Sequence, residues 1–145
     1  MARNINNMQD LERALQPVLV KMVDKMADKV YETLNYFLYD YYTGWTPDSY
    51  QRTKDFLYSA VKVDARPYKN GARASVYIDY DFMNNYVNAT GYEVARWANE
   101  GLHGGMATSH EPHVWDDTMR NTIDNGSLLQ TAIQYLKSKG IPVRG

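Results

Sequence analysis

Leu57-Tyr58-Ser59-Ala60-Val61-Lys62-Val63-Asp64-Ala65-Arg66 and, after a short gap, Ala72-Arg73-Ala74-Ser75-Val76-Tyr77-Ile78-Asp79-Tyr80 decide the fold of this chain. In the first run Leu57, Ser59, Val61, Val63 and Ala65 alternate with Tyr58, Ala60, Lys62, Asp64 and Arg66. The second alternates likewise through Ala72, Ala74, Val76, Ile78 and Tyr80. Successive side chains of a strand leave opposite faces, so a period of two marks half-buried strands. Between them lies Pro67-Tyr68-Lys69-Asn70-Gly71, with Asn-Gly as the turn signal. The pair reads as an antiparallel hairpin.

Upstream, the spacing changes. Apolar residues at Leu11, Leu15, Val18, Leu19, Met22, Val23, Met26, Val30, Leu34, Phe37, Leu38 and Tyr41 recur at helical intervals. Pro17 lacks the amide that a helix interior needs, which predicts a short leading turn with the main helix starting near Pro17, or a kink there. From that point the helix is about 35 Å long. Lys21, Lys25 and Lys29 form one row, and Asp24, Asp28 and Glu32 stand three residues on, which reads as a solvated face. An aromatic corner follows: Tyr36, Tyr39, Tyr41, Tyr42 and Trp45. Its rings either roof the core or form a contact surface with another subunit. Thr46 as N-cap and Pro47 at the first helical position predict a second short helix through Tyr50 and Arg52.

Downstream of the hairpin, Gly91 to Gly101 reads as a short amphipathic helix. Val94, Trp97 and Ala98 share one face, and Arg96 and Glu100 form an i, i+4 pair on another. Gly101 is the left-handed stop, and Gly104-Gly105 opens a flexible loop. Val114, Trp115, Met119 and Ile123 return to helical spacing, with a break at Asn125-Gly126. Ser127 then caps a last helix, which carries Leu128, Leu129, Ala132, Ile133 and Leu136 and ends at Lys139-Gly140. The expected architecture is one α+β domain over residues 1–145: a long N-terminal amphipathic helix and C-terminal helices packed on a small antiparallel sheet built around the hairpin.

Composition narrows the function. A chain of 145 residues buries roughly two thirds of its unfolded surface and needs no metal or disulfide to hold a core. Cysteine is absent, which removes thiolate catalysis and cysteine-ligated zinc. No run of about 18 apolar residues is present and the first residues are polar, so neither a membrane span nor a secretory signal is expected. The net charge of −1 gives the whole molecule no pull toward nucleic acid or anionic membrane. Thirteen tyrosines suit surfaces that are wet in one state and buried in another.

His103, His110 and His113, with Glu100 and Glu111 nearby, are the one candidate metal set. Pro112 breaks the helix that an HExxH arrangement requires, and the sequence predicts a mobile loop with its histidines at the surface or an interface. Ser109 beside His110 lacks an elbow motif. Asp116-Asp117 serves the first turn of its helix through the dipole. Arg66, Tyr68, Lys69 and Arg73 form a basic-aromatic patch at the hairpin tip, which suits either an ordinary polar turn or a DNA-reading arm. No catalytic residue, cofactor or resident metal is expected.

Two phrases carry a resemblance. The first is Tyr50-Gln51-Arg52-Thr53-Lys54-Asp55-Phe56-Leu57, a Tyr-x-Arg-Thr-x-x-x-Leu pattern; the second is Tyr92-Glu93-Val94-Ala95-Arg96-Trp97-Ala98-Asn99-Glu100-Gly101. Set between an N-terminal helix, a hairpin and a closing helix, they make the chain, from about Leu11 to Ile141, similar to the head–tail joining or tail-completion (neck) proteins of long-tailed bacteriophages. The family usually has glycine where Lys54 stands, and a Pro-Phe pair where this chain has Pro112 and then Val114-Trp115. The resemblance implies a non-enzymatic virion part, assembled in the host bacterial cytoplasm. It would form a homo-oligomeric ring, of about six or twelve subunits by rotational closure. Its neighbours would be connector and tail proteins, with packaged DNA passing through unread and no membrane involved. Contacts are expected at Tyr41, Tyr42 and Trp45 on one side and at Arg96, Trp97 and Glu100 nearby, with the His103-to-His113 loop ordering on docking. Two other readings stand beside it. One is a small metal-dependent hydrolase using the histidine loop; the other is a nucleic-acid-binding module using the hairpin tip.

Overall fold

Asn7 starts the first helix by accepting the Asp10 amide at 2.9 Å, which satisfies one of the donors a helix N-terminus leaves unpaired. In the computed structural model, which describes residues 4–48, 52–83, 86 and 88–144, this helix, α1, runs without a break from Met8–Thr43. Its 36 residues make a rod of about 54 Å. Pro17 therefore lies inside the helix and does not begin it. The apolar stripe continues on both sides of Pro17, so tertiary packing outweighs one missing backbone bond. α1 ends at Gly44, whose amide donates to Asp40 O at 2.8 Å. The expected helix from Thr46 is not seen over 45–48, and the part through Tyr50 lies outside the described residues.

The hairpin forms as expected. β1 (Ala60–Tyr68) pairs antiparallel with β2 (Gly71–Ile78), from Ala60 opposite Ile78 to Tyr68 opposite Gly71. The two turn residues are Lys69 and Asn70, one position earlier than the Asn-Gly signal, with Lys69 at φ 51. Between Val63 opposite Ser75 and Arg66 opposite Arg73, β1 holds one extra residue, a β-bulge.

That bulge explains how the hairpin is held. The Ala65 amide leaves the ladder and donates to Asp24 Oδ1 of α1 at 2.9 Å. Lys62 Nζ lies 3.0 Å from Asp24, 2.5 Å from Asp28 and 3.4 Å from Asp64, with its side chain 13% exposed. The Ala65 amide first, and Lys62 next, hold the Asp24 carboxyl below its usual range. The hydrogen bond to Asp28 leads in pushing the Lys62 ammonium above its own. Nearer the helix start, Gln16 Nε2 donates to Lys69 O and Gly71 O, each at 3.1 Å. The hairpin thus lies along α1 with its tip toward the N-terminus. The expectation of a solvated lysine–acid face is corrected here: Asp24 and Asp28 turn toward the hairpin. Lys25 turns the other way, 5.9 Å from the Tyr135 ring.

On the far side lie α2 (Gly91–Asn99), a two-stranded ribbon of β3 (Leu102–His103) and β4 (Met106–Ala107), α3 (Val114–Met119) and α4 (Ser127–Ser138). α3 runs on as a π-helical turn over Arg120–Asp124. Thr90 and Glu93 close a reciprocal capping box on α2. Gly101 takes φ 89, the left-handed stop expected of it. Ser127 is the first residue of α4 and not its cap; the cap is Gly126, at φ 77, and Asn125 Oδ1 accepts the Ser127 amide. The core gathers Leu34, Leu38 and Tyr41 of α1 with Phe56, Met83, Val94, Ala98 and Val114. Ahead of Ala27, α1 has no buried residue. The elements are those of an α+β chain, with the sheet reduced, among the described residues, to two separate two-stranded ribbons.

Candidate functional site

The polar residues that the fold brings together sit where α1 ends. Asp40 is in the last turn of α1, and His110 Nε2 lies 3.0 Å from its Oδ2. His110 Nδ1 lies 3.0 Å from His103 Nε2 on β3. A carboxylate only accepts, so His110 donates from Nε2–H; with a neutral imidazole its Nδ1 then accepts from His103 Nε2–H. His103 Nδ1 is left as a buried lone pair with no hydrogen-bond partner among the described residues. His103 has no exposed surface; it stacks on Tyr41 at 4.5 Å and lies 5.0 Å from the Trp45 ring. Burial first, then His110 and Arg52, push its pKa down to about 4.

The backbone makes room for this chain of groups. A Cβ on Gly44 would stand 2.4 Å from His110 Cδ2, so glycine is needed for the imidazole to approach the helix end. Gly104 and Gly105, both at positive φ, form the turn joining β3 to β4. The expected mobile loop is therefore an ordered ribbon, and its first histidine is interior. The glycine pair between Leu102-His103 and Met106-Ala107 was the missed signal, since such pairs favour two-residue hairpin turns.

Arg52 closes the corner. Its guanidinium donates to Tyr42 O at 2.7 Å and to Trp45 O, and lies 4.9 Å from the Tyr42 ring and 5.2 Å from that of Trp45. It covers carbonyls that the helix end leaves without partners and gains from two ring faces. Tyr42 is half-buried, and desolvation first, then Tyr86, raises its phenol above the usual range. Two residues on, Lys54 takes φ 63, a left-handed conformation that favours glycine.

The residues expected to make contacts divide accordingly. Tyr41 is a core ring, 7% exposed. Tyr42, Trp45 and Trp97 are half-buried, Trp97 lying under the Gly105 turn. Arg96 and Glu100 are exposed and paired at 3.4 Å. The corner rings that face outward are Tyr36 and Tyr39, at 64% and 62%. His113 does not join the other histidines: its Nδ1 donates to Asn99 O at 3.0 Å. Among the described residues, no three His, Asp or Glu side chains converge as a metal site. Asp40–His110 resembles the orienting half of a hydrolytic triad, but the other nitrogen of His110 is occupied by His103 in place of a hydroxyl.

Two surface features complete the picture. A cleft of about 590 Å³ opens between the end of β2 and α2, lined by Ile78, Tyr80, Tyr92, Ala95, Arg96 and Trp115 among others. At the opposite end of the hairpin, Arg66 and Arg73 face each other across the strands, and Lys69 and Arg73 lie 5.5 and 5.3 Å from the Tyr68 ring.

These features define a small α+β scaffold in which a helix carries a strapped-down hairpin and all three histidines make internal hydrogen bonds. The chain belongs to the YomN family, whose model matches residues 7–138. The family bears the name of a Bacillus prophage protein, which points to a phage origin. No curated protein and no solved structure gives a match.

Proposed function

We propose that this chain is a structural virion protein of a long-tailed phage, a ring-forming neck or tail-completion component that joins the head connector to the tail. The observation that carries the reading is what residues of the two phrases do. Arg52 ties the end of α1 to the corner, and Lys54 takes the left-handed conformation at the position where the neck family has glycine. Gly101 stops α2 at the end of the second phrase. These are architectural roles, and they hold together the parts that the resemblance names. The half-covered N-terminal part of α1 and the outward tyrosines supply surface for neighbours. A non-enzymatic role accords with histidines turned inward on each other.

Quantitative mass spectrometry of purified particles, scaled to the portal protein, tests the proposal. A fixed low count of about six or twelve copies per particle is expected from ring closure. Absence from particles would remove the structural role.

A further inference from the structure

We infer that the hairpin tip of one copy seats in the cleft between β2 and α2 of the next copy. The inference rests on the ring reading and names the contact by which the ring would be built.

Charge is the first argument. The tip from Ala65 to Ala74 carries Arg66, Lys69 and Arg73 and no acid. Asp79 and Asp81 line the cleft, and its one cation, Arg96, is already paired with Glu100 at 3.4 Å. Opposite potentials steer such an encounter and fix its register. Surface chemistry is the second. Tyr77, Tyr80 and Tyr92 at the cleft are 45%, 44% and 55% exposed, amphipathic rings open to solvent in the isolated chain. Tyr68 on the tip is already held between Lys69 and Arg73, and Gln16 pins the carbonyls on either side of the turn. A pre-ordered tip loses little freedom on docking.

Geometry is the third. Gly71 begins β2 and Asp79 follows its last residue, about 26 Å away at strand rise, so a tip cannot reach its own cleft. The contact joins two different patches of two copies, which is the heterologous kind that repeats head to tail and forms a ring when the rotation between copies closes.

The chain has no cysteine, which makes a crosslinking test specific. Lys69→Cys and Asp81→Cys are placed in one chain, and mild oxidation is applied both to the purified protein at rising concentration and to assembled particles. A ladder of disulfide-linked multimers is expected, with dimers alone when the two single variants are mixed. Lys69→Cys paired with Gln134→Cys, on the exposed side of α4, serves as the control and should give none. Multimers that form without the 69–81 link would overturn this contact and leave the ring reading standing. A chain that stays monomeric and is missing from particles would overturn both. Charge reversal by Arg73→Glu should weaken self-association at least tenfold, and Arg73→Glu with Asp81→Arg should restore it. If Arg73→Glu instead abolishes salt-dependent DNA retention with assembly intact, the tip belongs to nucleic acid and the inference fails.

Discussion

His103→Phe tests the histidine chain through its dependence on pH. In the folded protein burial, then His110 and Arg52, push the His103 pKa from its ordinary 6.5 down to about 4. Between those values the unfolded chain binds a proton that the folded chain refuses, so stability is complete above pH 6.5 and falls as pH drops toward 4. At about 1.4 kcal/mol per pH unit, this group alone removes up to about 3 kcal/mol over that interval. The structural cause is explicit: a proton on Nδ1 would be buried with no acceptor among the described residues. Phenylalanine keeps a flat ring on Tyr41 and carries no charge at any pH, while costing about 1 kcal/mol for the hydrogen bond to His110. Urea unfolding followed by tryptophan fluorescence at pH 7.5, 6.5, 5.5 and 4.5 gives both stability curves. The native chain should be the more stable at pH 7.5, and for a cost of about 1 kcal/mol the two curves should cross near pH 6. Misfit of the larger ring shifts the variant curve without changing its slope. Parallel curves from pH 6.5 to 4.5 would refute the reasoning.

Three further substitutions examine other supports. Lys62→Met leaves Asp24 and Asp28 facing the hairpin without their cation; a loss of about 1–2 kcal/mol is expected, since both acids are partly solvated. Hydrogen exchange should show the Ala65 amide losing protection in that variant. Gly44→Ala puts a methyl where the His110 ring lies; denaturant titration should give a loss of about 1–3 kcal/mol, and NMR should show His110 released from Asp40. Lys54→Gly relieves a left-handed backbone, and a gain of about 0.5–1 kcal/mol is expected in thermal unfolding.

Local patterns in the sequence disclosed the elements, while long-range partnerships stayed hidden. Period-two runs revealed both strands, and the 3.6-residue stripe revealed α1, because each pattern records one buried face. Pro17 signals a helix start or a kink because its missing amide acts locally, whereas packing of α1 against the hairpin and α4 carries the helix through it. Asp24 and Asp28 stood three residues from lysines, so a solvated row was the natural reading. Nothing near them in sequence announces Lys62, 34 residues beyond Asp28. Asp40 and His110 are 70 positions apart, and no periodicity links them. Two signals were present and under-used. Gly104-Gly105 between Leu102-His103 and Met106-Ala107 marks a tight ribbon, and Gly44 after a run of tyrosines marks close approach at a helix end.

Head–tail joining is tested most directly by deleting the gene from its phage and imaging the lysate by electron microscopy. The account predicts DNA-filled heads and unattached tails that accumulate apart, with joining restored when the purified chain is added. Complete, infectious particles formed in its absence would contradict it.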